Sequence, residues 1–234
     1  VGKEITPRAQ REPRKGGDGL RAPREYLNKV AEDRIQNPQD DLVSIMVTAE
    51  DEDGNAVLTP DQAVTHLTEL VFAGTDTTAN LMASLVRILD RDPDQLARLK
   101  RDPDLWPVAV EEGLRVRSAT NGVFRVTKKD VEVSGVTIPA GAVCWLSIGA
   151  SGLDREKFDD PEKFDLDRSN INDHIGFGKG RHFCIGSPLT KVEAPIGMKV
   201  LYDRIPDIKV ESGQHLEYDP VLVAVILKNL EVSW

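Results

Sequence analysis

The stretch "FGKGRHFCIG" at 177–186 sets one of the chain's two cysteines among three glycines, with Arg181 and His182 beside it. A structural cysteine prefers an apolar wall. Cys184 instead has pliable backbone on both sides and cationic or ionisable neighbours. Gly178 and Gly180 permit left-handed or crowded turns and let a flat ligand come close. A helix is expected to begin near Ile185, and a helix N-terminus with nearby cations favours thiolate over thiol. Such a thiolate is either a nucleophile or a metal ligand. Other chemistries fit less well. For zinc, His174, His182 and Cys184 lack a fourth partner at the usual spacing. For a phosphate loop, "GFGKGR" has no Ser or Thr after the lysine. For a thiol hydrolase, no other histidine lies in a setting that suggests a base. On its own residues the loop reads equally well as a glycine-rich turn with an incidental cysteine.

Two further stretches carry residues able to do chemistry. "AGTDTT" (73–78) interrupts a long apolar pattern with Gly74, Asp76, Thr77 and Thr78. Glycine inside a helix costs about 1 kcal/mol relative to alanine, and threonine hydroxyls bond back to carbonyls where helices bend. The expectation is a notch in a buried helix, holding an acid and an alcohol that can pass protons to a ligand. The alternative is a solvent-facing polar turn, which the preceding "LVFA" disfavours. Glu112 and Arg115 are three apart and share a helix face. A surface pair of that kind contributes only about 0.2–0.5 kcal/mol and is common, so its interest lies in its position between the other two motifs.

These residues need elements to hold them. Thr59-Pro60-Asp61-Gln62 is a capping box with proline at the first helical position, and it opens a long helix over 60–90. Asp92-Pro93 starts a shorter helix by the same logic, and "VAVEEGLRVR" (108–117) is an amphipathic one. Helices are also expected from Ala22 or Pro23 to about Gln36 and over "DDLVSIMVTAE". From Asn121 the period changes. "GVFRVT", "VEVSGVTIPAGAVCWLS", "IKVE" and "VLVAVIL" read as short strands. Helices, a small strand region and one more helix make a mainly α fold with small β-sheets, an α+β domain. Residues 1–21 read as a flexible basic arm rich in Gly and Pro, and 22–234 as the folded part.

Composition narrows the function. Hydrophobic residues make up 40% of 234, enough for a core. The net charge of -9 argues against nucleic acid as the main partner. Two cysteines cannot build a disulfide framework, so a reducing, cytoplasmic setting is the default. No apolar run approaches a membrane span and no signal peptide is seen, so no membrane anchor is expected.

Taken together, the three stretches resemble the cytochrome P450 (haem-thiolate monooxygenase) family. "AGTDTT" resembles that family's oxygen-binding helix motif, Glu112 and Arg115 its Glu-x-x-Arg motif, and "FGKGRHFCIG" its haem loop, Phe-Gly-x-Gly-x-x-x-Cys-x-Gly. "DDPEKFDLDR" (159–168) and "NLEVSW" are similar to family segments too, and order and spacing agree from about Ala22 onward. The resemblance implies a P450-like fold with its front half missing, and haem b bound through Cys184 as axial ligand of the iron. It implies haem contacts from His182 and Arg125 to the propionates, from Phe177 beside the sulfur, and from Gly178 and Gly74. Asp76 and Thr77 would deliver protons during dioxygen activation, while Glu112 and Arg115 brace the core. A thiolate ligand pushes electron density onto iron and favours O–O cleavage. The implied reaction inserts one oxygen atom into an apolar small molecule, with Leu70, Ala73, Val123 and the "VLVAV" segment near the substrate. Electrons would come from a ferredoxin or flavodoxin-type donor, steered by Lys179, Arg181 and Lys191. A non-catalytic haem-binding module and a peroxide-driven oxygenase are the alternatives. Lys163 stands where the family often has arginine, which bears on whether the usual Glu–Arg–Arg contact forms. Lys191 likewise replaces a common arginine.

Overall fold

The computed structural model describes residues 3–5 and 21–234. It divides into two compact units, one of Val1–Arg8 with Thr77–Trp234 and one of Ala9–Asp76. Most of the expected basic arm lies outside the described residues. Lys3–Ile5, however, is a strand (β1), and Arg21 is already helical.

The smaller unit is built from α1 (Arg21–Gln36), α2 (Leu42–Thr48) and the first part of α3 (Pro60–Arg91). The capping box forms as expected: the Gln62 N–H donates to Thr59 Oγ1 at 3.3 Å and the Thr59 N–H to Gln62 Oε1 at 2.8 Å. Leu27 and Ala31 of α1 pack on Val64 and Leu67 of α3, with Val43, Met46 and Val47 closing the cluster.

In the larger unit the rest of α3 meets α4 (Pro93–Arg101), α5 (Trp106–Val116) and α7 (Ser187–Arg204), and a single short turn of helix, α6 (Ile148–Ser151), precedes α7 in the chain. Leu85 and Leu89 are wholly buried, as is Leu99 of α4. Burial of each such side chain stabilises by roughly 1.5–3 kcal/mol. Trp106 stacks on Tyr202 with ring centroids 5.6 Å apart, joining α5 to α7. Three small antiparallel sheets flank these helices. Strands β2 (Gly122–Val126) and β5 (Val143–Ser147) pair, with Arg125 opposite Cys144. A hairpin joins β3 (Val131–Val133) to β4 (Val136–Ile138), its turn made by Ser134 and Gly135, both at positive φ. The third sheet has the order β1, β7 (Leu230–Ser233), β6 (Lys209–Val210).

Two expectations need correction. Helix α3 runs unbroken from Pro60 to Arg91, so Gly74 opens no notch. The Thr75 hydroxyl bonds back to the Val71 carbonyl at 2.7 Å, and the ladder tolerates it. Residues 71–75 are exposed, including Val71 and Phe72, so "LVFA" does not bury the segment. The "VLVAVIL" stretch is not a strand. It makes only isolated bridges, Thr120 to Ala224 and Tyr218 to Leu227, because Pro220 withholds a donor and Val221–Val223 are exposed. No described helix is long and apolar enough to cross a membrane.

Candidate functional site

Helix α5 organises the site. Its sequence "VEEGLR" puts two carboxylates side by side, and 3.6 residues per turn aim them about 100° apart. Glu112 turns inward. Its Oε2 accepts from Arg115 Nε at 2.7 Å, while Oε1 accepts from Arg115 Nη2 at 2.7 Å, the Asp165 N–H at 3.0 Å and Arg168 Nε at 3.0 Å. The remaining Arg115 donors reach the carbonyls of Gly152, Pro161 and Lys163 at 2.6, 2.7 and 2.9 Å. Both side chains of the pair have zero exposure. A buried pair offsets its desolvation only when its hydrogen bonds are complete, and these are. The second cation is Arg168, not Lys163. Lys163 instead supplies a carbonyl to the cluster and turns its ammonium to Asp165 at 3.1 Å. The Glu–Arg–Arg contact therefore forms despite the lysine.

Glu111 faces the other way, toward the cysteine loop. Its Oε2 lies 2.8 Å from His174 Nε2 and its Oε1 2.7 Å from Lys191 Nζ. His174 Nδ1 accepts from the Gly176 N–H at 3.0 Å, so the ring hydrogen sits on Nε2 and donates to Glu111. Burial pushes the Glu111 carboxyl up, but the hydrogen bonds from His174 and Lys191 and the charge of Lys191 outweigh it and hold it below the ordinary carboxylate range.

The loop itself is a tight backbone cradle. Gly178 and Gly180 adopt φ of 73° and 76°, the left-handed region that the glycines were expected to serve. The Gly178 N–H bonds to the Ile175 carbonyl at 2.8 Å, and the Cys184 N–H to the Phe177 carbonyl at 2.9 Å. A short 3-10 turn, Gly180–His182, carries Arg181 and His182 at its exposed edge. The Cys184 carbonyl accepts from the Ser187 N–H at 3.2 Å, so the cysteine lies in the turn feeding α7, which starts at Ser187 and not at Ile185. Cys184 is exposed, and so are its neighbours Phe183 at 52% and Ile185 at 84%. Phe177 packs between the core and Phe183, centroids 6.2 Å apart.

The other predicted residues fall as follows. Arg125 is exposed on β2, its Nη1 on the Phe124 carbonyl at 2.7 Å. Asn121 ties the chain after α5 to the 221–225 segment, its N–H donating to the Val223 carbonyl at 3.0 Å. Gly74, Asp76 and Thr77 share one turn of α3, and a Cβ added at Gly74 would meet nothing within 4 Å. Among the described residues no three His, Cys, Asp or Glu side chains are placed to hold a metal ion. The donor set fits haem instead. A single soft sulfur projects from glycine-rich backbone, with apolar Phe183 and Ile185 left exposed beside it, as a flat apolar macrocycle needs.

A family model described as Cytochrome P450 matches residues 104–201, the span from just before α5 into α7. Cytochrome P450 107B1 of Saccharopolyspora erythraea is 40% identical over 190 residues, covering 81% of this chain and 46% of that protein. The chain belongs to the cytochrome P450 family. The biotin biosynthesis cytochrome P450 of Bacillus subtilis is 35% identical over 209 residues, 89% of this chain and 52% of that one. Among solved structures, CYP109E1 of Bacillus megaterium in complex with corticosterone superposes with a TM-score of 0.84 at 32% identity, over 96% of this chain and 62% of that one. P450BioI in complex with an acyl carrier protein ligated to hexadec-9Z-enoic acid gives 0.81 at 34% identity, over 91% and 53%. The chain thus spans about half the length of the curated relatives it matches, and corresponds to the carboxy-terminal part of the P450 fold.

Sequence reasoning missed Glu111 and Arg168, and gave His174 and Lys191 other roles. A signal was present in the adjacent carboxylates: on a helix otherwise apolar, two neighbours aimed 100° apart must each find a partner. Lys191, read as a steering charge, is committed to Glu111.

Proposed function

We propose that this chain is the thiolate-bearing part of a haem-dependent monooxygenase that inserts one oxygen atom from dioxygen into an apolar organic molecule. The observation that carries the reading is the exposed Cys184 thiol, held by backbone bonds in a loop whose glycines take left-handed turns. Haem b would be held through Cys184, with Phe177 and Gly178 beside the sulfur and His182 and Arg125 on the propionates, and the family resemblance adds Gly74 as a further haem contact. Both candidates are exposed and so available to carboxylates. When bound, the haem supplies dioxygen activation, which a thiolate donor assists. Asp76 and Thr77 are the residues to relay protons, one a carboxylate and the other a hydroxyl on consecutive positions of α3. Glu112, Arg115 and Arg168 hold the framework behind the loop.

The solved relatives with corticosterone and with an acyl-carrier-linked hexadec-9Z-enoic acid support an apolar substrate class. An electron donor of ferredoxin or flavodoxin type is acidic, and exposed Lys179 and Arg181 beside the cysteine are the charges to meet it.

The test is spectroscopic. The holoprotein, reduced and exposed to carbon monoxide, should show the strongly red-shifted Soret band of a thiolate-ligated haem, and Cys184→Ser should lose it. A serine variant that keeps the band removes the ligand assignment. Haem uptake without oxygenated product, with a redox partner supplied, favours a haem-binding module. Activity with peroxide alone favours a peroxide-driven oxygenase.

A further inference from the structure

The haem reading uses Cys184 and its glycines but gives no task to the cluster of Glu111, His174 and Lys191. This cluster is built, not incidental. The His174 side chain is 4% exposed and Glu111 14%, whereas Lys191, at 46%, reaches in from the surface. The three come from separate elements: Glu111 from α5, His174 from the segment entering the cysteine loop, and Lys191 from the first turns of α7 leaving it. The carboxylate uses one oxygen for each arm, Oε2 for His174 and Oε1 for Lys191.

Each arm continues to the cysteine. Upstream, His174 Nδ1 takes the Gly176 N–H, and the next residue, Phe177, offers its carbonyl to the Cys184 N–H at 2.9 Å. Downstream, Lys191 sits on the helix that the Cys184 carbonyl helps to start. The Lys191 ammonium also lies 5.6 Å from the centroid of the Phe177 ring, a cation–π contact that ties the two arms to each other. The cysteine is thus clamped from both ends by one carboxylate on a helix that the core holds rigidly.

Resting on the haem-thiolate reading above, we propose that Glu111 is a positioning residue for Cys184: by holding His174 before the cysteine and Lys191 after it, it sets the height and direction of Sγ and so the strength of the sulfur–iron bond. Outer groups of this kind orient a metal ligand without touching the metal, and their loss typically lowers affinity about 10–100-fold. Glu111→Gln can still accept from His174, but it turns an amide N–H₂ toward the Lys191 ammonium or gives up the charge that holds it. Lys191→Met cuts the downstream arm alone. Lys191→Arg keeps a cation within reach of the carboxylate.

The experiment measures three quantities on the holoprotein and these variants: the share of the reduced, carbon monoxide-bound haem showing the red-shifted thiolate band, the haem reduction potential, and the rate of haem transfer to an apo-globin acceptor. Glu111→Gln and Lys191→Met should each lower the red-shifted share, shift the potential and speed haem loss by about 10-fold. The double variant should lose little more than either single one, because both cut one link. Lys191→Arg should restore the original values. A role confined to stability would lower the denaturation midpoint and leave the spectrum and potential of the folded holoprotein unchanged, and that result overturns the proposal. Failure of the haem reading is separate: there the unmodified holoprotein lacks the band, or Cys184→Ser retains it.

Discussion

Arg168 donates its Nε to Glu112 Oε1 at 3.0 Å, and so brings the 159–168 segment onto a carboxylate that Arg115 already holds from the other side. Arg168 also reaches the carbonyls of Asp159, Asp160 and Lys163 at 2.7, 3.3 and 3.1 Å. One carboxylate and two guanidiniums therefore organise a stretch with almost no regular structure of its own. Breaking one partner of a buried pair costs about 3–5 kcal/mol. Arg115→Met should fall in that range, since five donors lose their places together. Arg168→Met should cost less, because Arg168 gives Glu112 one hydrogen bond where Arg115 gives two. Chemical denaturation of the holoprotein measures both. Equal losses would show that Arg168 is as essential as Arg115, against this ranking.

The same cluster explains why Gly152 must lack a side chain. A Cβ built there would sit 1.9 Å from the Arg115 carbonyl oxygen and 2.9 Å from its carbon, backbone atoms that cannot swing aside. Gly152 also accepts Arg115 Nη1. Gly152→Ala should destabilise by at least the roughly 1–3 kcal/mol typical of overpacking. Gly135→Ala is a useful contrast: its Cβ meets nothing within 4 Å, so only its positive φ of 77° opposes the change. Thermal unfolding of the two variants should rank Gly152→Ala as the more damaging.

Acid should loosen the smaller unit at α2. Asp41 caps that helix, accepting the Ser44 N–H at 2.8 Å and Arg34 Nε at 2.6 Å. The Arg34 hydrogen bond, then that of the Ser44 backbone, lowers its pKa from 3.8 to about 2. A carboxyl depressed by folding contributes stability that is whole above 3.8 and is lost as pH falls toward 2. NMR of the Ser44 amide should therefore show α2 intact at pH values above that window and fraying only within it. Asp41→Asn should remove the acid step while keeping part of the cap. Fraying that begins well above the window would contradict the assignment.

The sequence made the helices legible because their signals are local. Thr59 with Gln62, and Asp92 before Pro93, form their caps within one turn. The cysteine loop was legible through its glycines, whose left-handed turns are a property of single residues. What was hidden depends on distance. Glu111 finds His174, and Glu112 finds Arg168, only after the 152–191 chain has folded back on α5. The 221–227 segment has the β-branched composition of a strand, yet its carbonyls at Leu222 and Val223 go to Asn121, so tertiary bonds override propensity. Residues 73–78 misled for the opposite reason. Threonine hydroxyls that compete with the helical ladder in principle simply add a bond to it, and α3 continues.

Exposure of the two cysteines gives a direct chemical test of the site. Cys184 is exposed, whereas Cys144 is half-buried on β5, opposite Arg125 in the paired strand. An alkylating agent attacks the thiolate it can reach. In haem-free protein, iodoacetamide should modify Cys184 well before Cys144, as read by peptide mass spectrometry. Haem added beforehand should protect Cys184 and leave the slow labelling of Cys144 unchanged, because only the first sulfur would be bound to iron. Zinc should protect neither, since among the described residues no three His, Cys, Asp or Glu side chains are placed to hold a metal ion. If Cys184 stays equally reactive with haem bound, the iron is ligated elsewhere. If Cys144 is the one protected, the loop at 177–186 is a glycine turn and nothing more.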